Sequence, residues 1–222
     1  MERELVDLLE EYVTPNKVEV INSVLSERTR HLTVVLEDFY QSQNASAVLR
    51  SCDCFGIQDL YITQNLHDYI VNPNVVRGAS KWITQHLYER ESDSMQNCIR
   101  DLRNKNYRLV GTTPDPKAAS IHELDITQPT AIIFGTEKAG LSDYAKGEVD
   151  ELVRIPMYGF TESFNVSVSA ALILQELVTR LKNSELNWEL SEKDKIELKL
   201  EWYKRIVKRS DLHINNFLKE RS

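Results

Sequence analysis

Thr161-Glu-Ser163-Phe-Asn165 places two hydroxyls, a carboxylate and a carboxamide within five residues, between the apolar run Leu152-Val-Arg-Ile155 and the apolar stretch from Val166 to Leu181. Leu152 to Ile155 is short enough for one buried strand, and Pro156 removes a backbone donor and stops it. Gly159 can turn the chain, and Ser163 or Asn165 stands where the N-cap of the next helix is expected. Free backbone N–H groups and polar side chains therefore meet at one junction, which suits holding a ligand as well as merely connecting a strand to a helix.

A second junction has the same form. Thr130-Ala-Ile-Ile-Phe134 runs into Gly135-Thr-Glu137-Lys-Ala-Gly140-Leu-Ser142, with Ser142 as the expected cap. The spacing of Gly135 and Gly140 matches a phosphate-binding P-loop, but Leu141 stands where that loop needs its lysine, which argues against a nucleotide triphosphatase. No two of the seven glycines are separated by one residue, so the Gly-x-Gly-x-x-Gly turn of dinucleotide sites is absent too. A third element is Asn44 to Gly56, a helix ended by its glycine after the strand Leu32-Thr-Val-Val-Leu36. Helical spacing puts Gln43, Ser46 or Ala47, Arg50 and Asp53 on one polar stripe, and Ala45, Val48, Leu49, Cys52 and Phe55 on the other side. Arg50 one turn before Asp53 has the form of a solvated ion pair, and becomes chemistry only in company.

The elements that must position these residues alternate. Strands are expected near 32–37, 58–62, 107–112, 130–135 and 151–155, and helices near 43–55, 93–105 and 165–182, which predicts an α/β domain with a parallel sheet. Two short amphipathic helices, Arg3 to Glu11 and Val18 to Leu25, split at Thr14-Pro15-Asn16, are expected in front. Behind the hinge Lys182 to Trp188, Ser191-Glu-Lys-Asp194 opens a further helix. These boundaries give an N-terminal helical extension over 1–30, a core domain over 31–183 and a C-terminal helical extension over 184–222.

Composition bounds the function. A chain of 222 residues buries one full core. No stretch approaches the ~20 apolar residues of a membrane span, and the start Met1-Glu-Arg-Glu lacks signal-peptide character, so a cytoplasmic protein without membrane contact is expected. Cys52, Cys54 and Cys98 form neither a paired framework nor a zinc spacing, and are expected as reduced core residues with no metal site. The net charge of −7 argues against indiscriminate nucleic-acid binding. Basic residues nevertheless gather at Arg28-Thr-Arg30 and at Lys204, Arg205, Lys208 and Arg209. The latter are expected on adjacent rows of the last long helix, with Trp202 and Tyr203 nearby, as an RNA-gripping face or a solvated one.

Taken together, Asn44-x-x-x-x-x-Arg50 before Phe55-Gly56, Phe134-Gly-x-Glu137-x-x-Gly140-Leu-Ser142, and Ile155-Pro-Met-x-Gly159-x-x-x-Ser163-x-Asn165-Val-Ser167-Val resemble the three motifs of the SPOUT superfamily of knotted RNA methyltransferases, in its TrmH branch. The likeness runs in order over about residues 32–180, and Trp202 to Arg205 with Lys208 to Asp211 resembles that branch's C-terminal extension. The resemblance implies a parallel sheet whose C-terminal segment is tied as a deep trefoil knot, an exception to the unknotted rule. It also implies S-adenosyl-L-methionine held near Thr112, Gly135, Ile155 and Phe164, the last a position usually leucine in the family.

The activity it implies is 2′-O-methylation of a guanosine ribose in the tRNA D-loop, at position 18, by a homodimer. Ribosomal RNA methylation and non-catalytic RNA binding are the alternatives. The resemblance assigns Arg50 the role of base; since arginine is effectively always protonated, it alternatively pins a phosphate while water takes the proton. Asn44 would orient Arg50 or the ribose, and Glu137, Ser163 and Asn165 would complete the pocket. Gln43 stands where relatives often carry histidine.

Overall fold

The computed structural model describes residues 1–89 and 93–221. Short apolar runs form the strands β1 (Leu32–Glu37), β2 (Asp59–Thr63), β3 (Thr84–Tyr88), β4 (Arg108–Thr112), β5 (Ala119–Ser120), β6 (Thr130–Phe134) and β7 (Glu151–Arg154). They make one sheet in the order β3-β2-β1-β6-β4-β7-β5, with every pairing parallel. The helices are α1 (Glu2–Glu10) and α2 (Pro15–Ser26) before the sheet, α3 (Ser42–Cys54), α4 (Pro73–Val76), α5 (Ser94–Asn104) and α6 (Asp143–Glu148) between its strands, and α7 (Val166–Lys182), α8 (Glu192–Ile206) and α9 (Ser210–Lys219) after the last strand.

A parallel sheet needs both faces covered, and residue alternation supplies the two sets of side chains. Val34 and Leu36 of β1 join Val48, Leu49 and Cys52 of α3 and Ile173, Leu174 and Leu177 of α7 in one core. Val35 points the other way, with Ile133, to Cys98, Ile99 and Leu102 of α5 and Ala145 of α6. The expected α/β alternation is what the chain adopts. Two strands escaped the pattern because they carry no apolar run: β3 is Thr-Gln-His-Leu-Tyr at one sheet edge, and β5 is two residues at the other. At the end of α3, Gly56 (φ 75°) allows Ile57 N–H to reach the Cys52 carbonyl at 2.9 Å and Gly56 N–H the Asp53 carbonyl at 3.3 Å. This Schellman closure aims β2 back alongside β1.

The chain divides into two compact units, Thr29–Trp188 and Met1–Arg28 with Glu189–Ser222. The two flanks thus meet in one unit, where α1 packs on α8. Glu10 accepts from Lys199 at 2.6 Å and from the Tyr203 hydroxyl at 2.8 Å, and Arg221 pairs with Glu4 at 2.7 Å. The Ser191 hydroxyl caps α8 by accepting from Asp194 N–H, as its sequence predicts.

Two expectations in the flanks need correction. Pro15 sits in the first turn of α2, where its missing N–H costs nothing, so that helix begins three residues before Val18. The last long helix ends at Ile206: Val207 turns inward and is buried, the Ser210 hydroxyl donates to the Lys204 carbonyl at 2.9 Å, and Arg209 lies at φ 57°. Lys208 and Arg209 therefore occupy a turn, off the helical rows of Lys204 and Arg205.

Candidate functional site

The C-terminal ends of β4, β6 and β7 open onto a cavity of about 610 Å³, the side of a parallel sheet where ligands collect. Its floor depends on Gly135. The turn after β6 folds back so closely, with Thr136 and Gly140 exchanging backbone hydrogen bonds of 3.0 Å, that a Cβ on Gly135 would lie 2.1 Å from the Gly140 carbonyl carbon. No side chain fits there, and the Gly135 backbone is left facing the cavity. Gly159 has no such constraint, since a Cβ on it would meet nothing closer than 4.0 Å.

Hydrogen bonds tie the three sequence junctions to one another. Glu137 accepts from the N–H of Tyr40 at 3.3 Å and of Gln41 at 3.2 Å, at the N-terminus of α3, and from Asn44 Nδ2 at 3.0 Å. Asn44 Oδ1 in turn accepts from Asn165 Nδ2 at 3.2 Å. Asn165 Oδ1 caps α7 by accepting from Ser167 N–H at 2.9 Å and from its hydroxyl at 2.6 Å. Between the two possible caps, the chain uses Asn165 and leaves Ser163 exposed. A carboxylate at a helix N-terminus also complements the helix dipole. Asn44 is 7% exposed and engaged, so its orientation is fixed by the fold.

Thr112, Gly135, Ile155 and Phe164 all line the cavity, and so do Asn44, Glu137, Ser163 and Asn165. Arg50 does not line it. It is exposed on α3, six residues or ~9 Å along the axis from Asn44. Its guanidinium makes no hydrogen bond or ion pair among the described residues. Three neighbours were not singled out from the sequence: Lys138 and Met157 line the cavity, and Tyr40 stands beside the lining residue Gln41. Their positions next to motif residues were the available signal.

The basic residues before β1 are placed otherwise than expected. Arg28 is 2% exposed, its guanidinium 5.6 Å from the centre of the Trp202 ring, so no face is open to RNA. Arg30 is committed to buried Asp59 at 2.8 Å, which also pairs with His86 at 2.7 Å. Burial raises the Asp59 pKa, yet the bonds from His86 and Arg30 outweigh it and hold the carboxyl below the usual range. Lys204, Arg205, Lys208 and Arg209 are exposed. Cys52 and Cys98 are core residues, and burial pushes the Cys98 thiol far up; Cys54, expected in the core, is exposed at the end of α3. No His, Cys, Asp and Glu cluster among the described residues could hold a metal, and no described helix is long and apolar enough to cross a membrane.

Comparison with known proteins places this geometry. The model of the SpoU rRNA methylase family matches residues 31–175. The tRNA (guanosine(18)-2′-O)-methyltransferase of Borreliella burgdorferi is 38% identical over 203 residues, 91% of each chain. The crystal structure of the A. aeolicus TrmH/SpoU tRNA modifying enzyme superposes with a TM-score of 0.75 at 27% identity, over 87% of this chain and 98% of that one. The SpoU methyltransferase AviRb of Streptomyces viridochromogenes, in complex with AdoMet, gives a TM-score of 0.61 at 26% identity, over 72% and 64% of the two chains.

Proposed function

The chain belongs to the SpoU rRNA methylase family, and from that membership we propose that it methylates the ribose 2′-oxygen of guanosine 18 in the D-loop of tRNA, using S-adenosyl-L-methionine. The observation that carries this reading is the convergence of Asn44, Glu137 and Asn165, one from each junction, on a single cavity. The likeness to a tRNA methyltransferase extends over 91% of the chain, beyond the sheet and into the flanks, which favours tRNA over ribosomal RNA as substrate.

The cavity fits the cofactor's chemistry. Its volume lies in the range of small-molecule sites, Phe134, Ile155 and Phe164 offer apolar contact, and the Gly135 backbone approaches where no side chain can. Thr112, Gly135, Ile155 and Phe164 would hold S-adenosylmethionine, which supplies a methyl group carried on a sulfonium sulfur. Asn44, already oriented by Gln41, Glu137 and Asn165, offers the remaining lone pair of its Oδ1 to the ribose without reorganisation during reaction. Ser163, at the open side of the cavity, contributes a further hydroxyl contact. Arg50, an exposed cation, clamps an RNA phosphate and so orients the 2′-hydroxyl, whose proton passes to water.

The C-terminal segment is threaded as the knot of the TrmH branch. Two copies pair, so that Arg50, which does not line the cavity of its own chain, serves its partner's. Lys204, Arg205, Lys208 and Arg209 grip the tRNA backbone; Arg28 and Arg30, already engaged, do not.

Transfer of a labelled methyl group from S-adenosylmethionine to unmodified tRNA and, separately, to ribosomal RNA fragments tests the function. The expected product is methylated guanosine 18, lost in Arg50→Ala and partly kept in Arg50→Lys, because a lysine can still hold a phosphate. Transfer to ribosomal RNA alone moves the substrate; cofactor binding without transfer to either RNA removes the enzymatic reading. In the same assay, neutralising Lys204, Lys208 and Arg209 weakens tRNA binding and flattens its log–log salt dependence by about 0.9 for each phosphate that the protein no longer neutralises.

A further inference from the structure

Tyr40 presents an aromatic ring at the edge of the cavity, 62% exposed, with its own backbone N–H fixed to Glu137 at 3.3 Å. Exposure alone would not set this ring apart, since Tyr158 and Phe160 are exposed more fully; its place beside the cavity and its fixed surroundings do. Its surroundings hold it still. Asp38, at φ 50° and buried, accepts from the N–H groups of Asn65, Leu66 and His67, each at 2.9 Å, and from His67 Nδ1 at 3.1 Å. His67, pinned in this way, meets Tyr40 edge to face with ring centres 4.9 Å apart. Lys138, which lines the cavity, carries its ammonium 5.9 Å from the centre of the same ring.

We propose that the Tyr40 ring is a stacking platform for a nucleobase of the RNA substrate beside the reacting ribose, with Lys138 holding that nucleotide's phosphate. The inference rests on the RNA methyltransferase reading above and adds a site to it. An RNA base requires a flat apolar face with a cation within reach of its phosphate, and the edge of this cavity supplies both. At 5.9 Å the Lys138 ammonium is not packed against the ring, and its flexible stem lets it swing to a phosphate as a base takes the face. The neighbouring carboxylates do not oppose this. Asp38 is engaged by four donors, and Glu137 is turned to α3 and Asn44. Because Glu137 binds the Tyr40 backbone, the platform and the oriented Asn44 carboxamide share one anchor, which sets base and ribose in register.

The test is steady-state methyl transfer to tRNA by the full chain, with S-adenosylmethionine affinity measured separately. Tyr40→Ala raises KM for tRNA by about tenfold or more, the cost of losing one stacked base, leaves cofactor affinity within twofold, and is rescued by Tyr40→Phe, which keeps the face. Lys138→Met raises KM and lowers the slope of log affinity against log salt by about one. The platform is overturned if Tyr40→Ala leaves KM within twofold, if Tyr40→Phe is as impaired as Tyr40→Ala, or if cofactor affinity falls in step. A wild-type chain that methylates no RNA removes the enzymatic reading and the platform with it. A wild-type chain that is active, alongside an equally active Tyr40→Ala, removes the platform alone.

Discussion

At the level of single residues, one carboxylate organises the site. Glu137 gathers two backbone donors at the start of α3 and the Asn44 carboxamide, and Asn44 passes the constraint to Asn165. Hydrogen bonds to a charged acceptor contribute ~1.5–3 kcal/mol each, so losing the acceptor unsettles three donors together. Glu137→Ala is expected to cut kcat/KM by roughly ten- to a hundredfold, because Asn44 is then held only by Gln41 and Asn165. Glu137→Gln, which keeps one acceptor oxygen, loses less. Thermal unfolding separates the alternatives: a lowered midpoint with unchanged turnover per folded molecule would make the network purely structural. None of these partners was legible from the chain, since Glu137 and Asn165 lie 93 and 121 positions from Asn44.

At the scale of elements, α7 shows apolar residues on two sides. Its inner residues Ala170, Ile173, Leu174 and Leu177 are buried against the sheet and α3. Val168 and Leu172, one turn apart, remain exposed on the opposite side, as does Phe164 just before the helix. The proposed pairing of two copies would cover this second apolar side. Sedimentation at micromolar concentration should therefore give about twice the monomer mass, and Val168→Asp with Leu172→Asp should shift it towards one copy. A wild-type monomer at that concentration removes the pairing and the shared use of Arg50. The same element shows the limit of a one-dimensional reading: its apolar run predicted the helix but left Ser163 and Asn165 both open as caps, and the fold uses Asn165, which also bonds Asn44.

Across the full chain, the net charge is −7, and the proposed grip on the tRNA backbone relies on a local group of exposed cations. The turn between α8 and α9 adds Lys208 and Arg209 to the Lys204 and Arg205 of the preceding helix. The proposed threading belongs to this largest scale too. Stretching the unfolded protein from both ends should leave its length short of that of 222 free residues, by the contour held in a tightened knot. An extension reaching the full contour excludes the knot.

Residue order alone was enough for the parallel sheet, most of its strands, the helices on its faces and the positions of the two glycine-bearing junctions. These follow from local rules, namely apolar runs, caps and turn residues, whose partners lie a few positions away. It was not enough for the edge strands β3 and β5, which have no apolar signature, or for the end of α8, where a buried valine and a serine-to-carbonyl bond override helical periodicity. Nor did it reveal that Arg28 is buried, that Arg30 is spent on Asp59, or that Glu137, Asn44 and Asn165 hold one another. Those outcomes depend on distances between segments far apart in the chain, and such segments come within hydrogen-bonding reach only when the whole fold is assembled.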